Sequence, residues 1–396
     1  MIDLEKSSIA KYFLFSSLYF SEGIKWSIAV VIFPIYFSDL GISPTILGLV
    51  VALTGLPTMI KFIFGGIIDY FIKYGRKKFT LYGGLIAAGS LILIAFINPA
   101  EMLILFIIVF SIGIIGITFL DVAADAWAIE ITKEEERGKV NGGMFAGIFI
   151  GMSVGSLLFT QIASKLNYTA VFLVGGLLVF LIMIYPLCVK EVKKIKKIKK
   201  ITSSLISEFK KKSVQVFCFF APISAISGGL LLIAIPLYSK NVLMFSNEQV
   251  GMMAAIFPIT NIFGALVGGA MADFLNRKTA AYLVFIFSSI VSILFLFADS
   301  WQILAFVYGL AGFLFGAMYA TIGAISMDVT NPRLAGTQFS IYMALFNVGE
   351  IGIGNGMAGL IIDSLGYERL FLYAALFYAA SIFILYFVKY KTQTKL

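Results

Sequence analysis

The sequence predicts an all-α membrane protein whose twelve transmembrane helices form two pseudo-symmetric six-helix bundles. Three observations carry this. Of 396 residues, 60% are hydrophobic and 13% charged, with a mean hydropathy of +0.99, and 51 charged side chains are too few to cover a soluble surface of that size. Twelve apolar runs each approach the roughly 20 residues that a helix needs to cross the hydrocarbon. A lysine-rich break divides the runs into six and six, with related motifs on both sides. Period-two alternation is absent, which excludes an outer-membrane barrel.

In chain order the runs fall at 10–37, 46–69, 79–97, 102–130, 139–163 and 169–189, then at 214–238, 248–272, 279–298, 303–327, 339–363 and 368–388. Residues 1–189 therefore form one six-helix half, 190–213 a basic cytoplasmic linker, and 214–396 the second half. The N-terminus, with Asp3, Glu5 and Lys6, leads into a run too long for a signal-peptide core and without a small-residue cleavage site, so the first span is expected to stay. Placing that terminus inside puts 25 of the 30 basic residues on the cytoplasmic side, and only Lys165, Lys240 and Arg369 outside. The positive-inside rule then gives a multi-pass plasma-membrane protein with both termini cytoplasmic. The inside lysines face anionic lipid. No recognition module accompanies them, so no nucleic-acid partner is expected, and the chain is expected to act as a monomer.

Composition also removes chemistries. There is no histidine, so imidazole-based catalysis and zincin, haem or copper sites built on it have no ligand. Cys188 and Cys218 alone make neither a metal cluster nor a disulfide framework. A Gly-x-x-x-x-Gly-Lys-Ser/Thr loop for ATP and the Gly-x-Gly-Asp element of intramembrane aspartyl proteases are both missing. The chain reads as a non-enzyme without cofactor or metal.

The repeat is explicit in the loops. G-G-I-I-D at Gly65 to Asp69, followed by Gly75-Arg76-Lys77-Lys78, recurs as G-G-A-M-A-D at Gly268 to Asp273, followed by Arg277-Lys278, an offset of 204 between the aspartates. Glycine ladders at Gly147, Gly151 and Gly155 and at Gly349, Gly352 and Gly356 suit close helix packing in spans five and eleven. With these motifs and twelve spans, the whole chain resembles the major facilitator superfamily. Within it, the likeness is to the muropeptide permeases and acetyl-coenzyme A transporters, carried by L-P-T-M-I-K-F-I-F-G-G-I-I-D (Leu56 to Asp69), L-D-V-A-A-D-A-W-A-I-E (Leu120 to Glu130) and N-P-R-L-A-G-T-Q-F (Asn331 to Phe339). Gly66 stands where that group often has proline. The resemblance implies a conformational latch: Asp69 facing the start of span eleven near Thr337, Asp273 facing span five near Gly138, and Gly75, Arg76, Lys77 and Arg277 completing the two loops. A carboxylate is favourable at a helix N-terminus. Arg76, Lys77 and Lys78 would lie on anionic lipid or pair with acidic residues of the other half.

Charges at membrane depth are costly, and each is a functional candidate. Glu22 lies about 18 Å into span one, with Lys25 one turn on. The two can neutralise each other, either as a structural pair or as part of a substrate site with Ser21 and Trp26. Asp121 and Asp125, one turn apart in span four, match Lys61 of span two in depth. They form either a Lys61–Asp bridge or a site with one excess negative charge, able to hold a proton or sodium. Glu350, about 17 Å into span eleven, has no basic residue within a turn. It is a candidate proton carrier or a carboxyl kept for packing. Asn347 beside it is a further candidate, and Tyr19, Trp127, Tyr238, Asn261, Tyr319 and Gln338 are less specific ones.

The function expected is secondary active transport of a small solute by alternating access about a midplane site. Proton-coupled symport is favoured over sodium. The resemblance suggests an anionic or amphiphilic solute, a sugar–peptide or a nucleotide-linked metabolite. Other readings on the same fold are a drug or metabolite exporter and a non-transporting sensor or lipid scramblase.

Overall fold

The computed structural model describes residues 2–4, 7–132, 134–191, 202–331 and 335–389. They are helical almost throughout. Span one is Ser8–Asp39, α-helical over Ser8–Ser27, π-helical over Ile28–Ile32 and α-helical again from Phe33. Span two is broken into Pro44–Thr54, Leu56–Met59 and Lys61–Tyr70, because Pro57 has no N–H for the helix ladder and Gly55 precedes it. Arg76–Ile94, Leu103–Ile131, Glu134–Lys165 and Tyr168–Cys188 are spans three to six. A short linker helix, Thr202–Phe209, leads to Lys212–Asn241, Asn247–Phe274, Arg277–Leu294 and Trp301–Val329, spans seven to ten.

Span eleven begins at Ala335, turns π-helical over Val348–Gly354, and continues into Asn355–Phe387, which also contains span twelve. The two are divided at Gly366, whose φ of +81° is open to glycine at no steric cost. Ten helices among the described residues are thus long and apolar enough to cross a membrane. The last holds two of the expected spans, and the broken span two supplies the twelfth. A two-residue parallel pairing of Ile2–Asp3 with Val189–Lys190 ties the N-terminal segment to the end of span six.

The chain divides into two compact units: Met1–Ile42, Leu53–Ile198 and Ser239–Pro258 in one, and Ser43–Ala52, Lys199–Tyr238 and Ile259–Leu396 in the other. The two exchanged segments sit where backbones approach closely. A Cβ on Gly251 would lie 1.9 Å from Thr160 Oγ1 in the first unit, and one on Gly359 would lie 1.9 Å from the Pro44 carbonyl in the second. Within the first unit, spans one and five meet along the expected ladder, with Gly147 against the Ser16 carbonyl and Gly151 against that of Phe20. Its aromatic core gathers Phe33, Phe106, Phe110 and Phe172, while Phe220, Phe285 and Tyr378 pack in the second unit.

Candidate functional site

The loop after span two is organised by a carboxylate. Gly75 adopts φ +85°, and the following Arg76 and Lys77 backbone N–H groups both donate to Glu191 Oε1, at 2.5 and 3.0 Å. The Arg76 guanidinium turns to Glu130 at the end of span four, Nη2 to Oε1 3.0 Å. Lys77 Nζ donates to the carbonyls of Leu187 and Val189, which end span six. These carbonyls have no intrahelical partner, and a cation is favourable there.

The second unit repeats the arrangement. Arg277 pairs with Asp328 at the end of span ten and donates to the Ala324 carbonyl, and Lys278 Nζ donates to the carbonyls of Tyr386 and Val388, which end span twelve. Asn276, at φ +146°, stands where the first copy has Gly75. In both copies the loop's basic residues therefore close helix ends within their own half. Glu130, Glu191, Asp328 and Lys278 were not anticipated as partners. The constant offset of about two hundred residues between the two copies was the signal that could have found Lys278 and Asp328. The side chains of Asp69 and Asp273 lie outside the described residues.

At membrane depth, the first unit gathers the charges of spans one, two and four. Lys61 Nζ is 3.6 Å from Asp121 Oδ2, the bridge expected from their depth. Tyr19 OH lies 2.9 Å from Asp121 Oδ1 and 2.5 Å from Asp125 Oδ1. The hydroxyl has one hydrogen, which the two carboxylates share in a three-centre bond or one of them takes. Glu22 is close enough to feel Asp121, Asp125 and Lys61, and its Oε1 accepts from Trp26 Nε1 at 3.2 Å.

The expected Glu22–Lys25 pair is not formed. Lys25 is 1% exposed, its Nζ has no hydrogen-bond partner, and it lies 4.8 Å from the Phe110 ring centre. It points into the helix packing because the face of span one that carries it is covered by spans three and four. Trp127, one of the less specific candidates, is a core side chain packed on Phe15.

In the second unit, Glu350 sits inside the π-helical stretch of span eleven, 8% exposed, and its Oε2 accepts from Tyr319 OH at 2.7 Å. Tyr319 is in turn held against Phe315 and Phe346. Among the described residues no lysine or arginine forms a salt bridge with Glu350, consistent with its isolation in the sequence. The stretch is pinned to span seven at glycines, a Cβ on Gly229 falling 2.0 Å from the Glu350 carbonyl. Asn347 is half-buried at its start. Gln338 and Tyr238 lie elsewhere: Gln338 bridges Tyr342 OH and the Asn331 N–H, and Tyr238 OH donates to Ala298 at the end of span nine.

Polar clusters also close the loops at the opposite helix ends, where sequence reasoning placed none. Lys240 pairs with Asp39 at 3.0 Å, Tyr168 OH donates to the same carboxylate, and Ser38 Oγ donates to Asn241. In the second unit, Asp363 Oδ2 accepts from the Thr45 N–H and hydroxyl.

Two helical units that carry isolated charges at membrane depth and repeat one loop device define a polytopic membrane carrier. The chain belongs to the Major Facilitator Superfamily, whose family model matches residues 15–243 and 217–396. A curated relative, the putative transporter AmpG 1 of Rickettsia bellii (strain RML369-C), is 23% identical over 372 residues, covering 86% of this chain and 89% of that protein. The fold is similar to a crystal structure of the nucleoside transporter NupG, with a TM-score of 0.77, 14% identity, and 96% of this chain and 100% of that one covered. It is also similar to a bacterial homologue of the human lysosomal transporter Spinster in an inward-facing, occupied conformation, with a TM-score of 0.68, 15% identity, and 96% and 93% covered. The chain is thus an integral membrane transporter of small solutes.

Proposed function

We propose that this transporter is a proton-coupled symporter working by alternating access, with both termini in the cytoplasm and Glu350 as the proton carrier. The observation that carries the reading is the environment of Glu350: a carboxyl buried in a π-helical stretch, with a tyrosine hydroxyl as its hydrogen-bond donor. π-Helical turns recur at functional sites, and a lone buried carboxyl that gains and loses a proton changes the charge that span eleven presents. Asn347 adjoins it. In the first unit the Tyr19–Asp121–Asp125–Lys61 cluster supports the same coupling, because two carboxylates and one lysine leave one excess negative charge, able to attract a proton. Asp69 and Asp273 serve as latches at the inner ends of spans two and eight.

The solute is expected to be a sugar–peptide, as the resemblance to the permease group suggests, or a nucleoside-type metabolite, as NupG transports. Purified protein in proteoliposomes is given a radiolabelled sugar–peptide or uridine, with and without an imposed pH gradient. Gradient-driven accumulation that disappears in Glu350→Gln while solute exchange persists is the expected result. Unchanged accumulation in that variant removes Glu350 from coupling.

A further inference from the structure

Two buried polar atoms of opposite kind are left without partners one helical turn apart on span one. Glu22 Oε2 and Lys25 Nζ are both shielded from solvent, and neither makes a hydrogen bond. Their i,i+3 spacing lets the side chains meet by a rotamer change alone, and meeting would satisfy both. Lys25 instead reaches the other way, into a slot between spans one, three and four. The slot exists because residue 113 is glycine: a Cβ there would lie 1.9 Å from Lys25 Nζ and 2.3 Å from Ser90 Oγ. The Phe110 ring covers it at 4.8 Å, a distance at which an aromatic face attracts an ammonium. Span one turns π-helical at Ile28, immediately beyond the Lys25 turn.

The charged groups that act on Glu22 are Asp121 and Asp125 of span four and Lys61 of span two. On its own helix stand Tyr19, Trp26 and Lys25. Three carboxylates and two lysines carry a net charge of −1 when all are ionised. One proton on Glu22 makes the set neutral, which is the less costly condition in a buried site. The unpartnered Glu22 oxygen is closed to solvent, so the cation that fits it without rearrangement is a proton, not an organic ammonium.

We propose that Glu22 is a second proton site of this transporter and that Lys25 is its tethered alternative cation. The Glu22 carboxylate holds either the Lys25 ammonium or a proton. When a proton from water adds to the carboxylate, the Glu22–Lys25 ion pair breaks. Lys25 keeps its own proton and moves over Phe110, the arrangement in this structure. Release of the Glu22 proton to water lets the ammonium return, so the site is never left as an unpaired anion. The role of this exchange in transport rests on the proton-coupled reading above; the exchange itself does not.

Trp26 reports on the site directly, because its indole N–H donates to Glu22 Oε1. Substituting Trp127→Phe and Trp301→Phe leaves Trp26 as the sole tryptophan. Its emission is followed in lipid nanodiscs between about pH 5 and 9, the range over which a buried carboxyl–lysine exchange is read. One titration is expected, and Glu22→Gln removes it. Lys25→Met, which deletes the competitor, moves the midpoint up by about one pH unit or more, a tenfold change in proton affinity. Gly113→Ala, which closes the slot and drives Lys25 back to Glu22, moves it down. Midpoints that stay put in both variants, shifts of the same sign, or a titration that survives Glu22→Gln overturn the proposal. Should Lys25→Met not fold, the direction of the Gly113→Ala shift decides alone. Loss of gradient-driven uptake is scored separately on Glu350→Gln, so a failure of the symport reading leaves this titration standing.

Discussion

Replacing Arg76 by methionine keeps the aliphatic stem and removes the guanidinium, and with it the ion pair to Glu130. Both side chains are largely shielded, 9% and 13% exposed, and the pair is joined through Nη2 at 3.0 Å and Nε at 3.3 Å. Removing one partner of a buried pair strands the other, at about 3–5 kcal/mol when burial is complete. With the remaining exposure, Arg76→Met is expected to cost about 2–3 kcal/mol. The equivalent Arg277→Met, whose arginine is 31% exposed, is expected to cost about 1 kcal/mol. Unfolding in mixed micelles against SDS measures both. The double variant Arg76→Met/Glu130→Gln should recover about 1 kcal/mol of the single loss, since both members of the pair are then neutral. Strict additivity of Arg76→Met and Glu130→Gln would refute the view that the two act on each other inside one helical unit, and an equal loss in the Arg277 variant would refute the argument from burial.

Gly359→Ala places a methyl 1.9 Å from the Pro44 carbonyl, where backbone must yield, and is expected to cost about 1–3 kcal/mol; Gly66→Ala, with nothing within 4 Å, should be neutral within about 0.5 kcal/mol in the same unfolding assay. Lys211, and then Asn331, hold the Glu208 carboxyl of the linker helix below its ordinary range. A depressed carboxyl stabilises at neutral pH, and that contribution disappears as pH falls through its folded-state value. Thermal melts of the wild type minus Glu208→Gln should therefore converge towards acid and separate towards neutral pH; a constant difference would assign Glu208 a steric role. Glu350→Gln is expected to abolish gradient-driven accumulation in proteoliposomes while solute exchange persists.

Much of the site was legible because membrane depth can be counted along a helix. Lys61, Asp121 and Asp125 were placed together from depth alone; Lys61 pairs with Asp121, and Tyr19 joins Asp121 to Asp125. Glu350 was recognised as isolated because no cation lies within a turn of it. Glu22 and Lys25 show the limit of the same reasoning: i,i+3 spacing says that two side chains can meet, while packing around Gly113 and Phe110 decides that here they do not. Arg76 shows the same limit. A loop sequence shows an excess of positive charge but not which helix ends, Glu130 or the Leu187 and Val189 carbonyls, lie within its reach.

By itself the sequence determined the class of protein, the number and order of its spans, the repeat, and the short roster of charges able to do chemistry. Hydrocarbon admits only long apolar helices, so these properties are written along one dimension. Only the tertiary structure decided the partners. It gave Tyr19 to two aspartates, Tyr319 to Glu350 and Glu191 to the Arg76 loop, and it left Lys25 in a slot that a single missing methyl keeps open. Such contacts depend on which faces of separate helices are pressed together, and that information lies in the packing of distant residues.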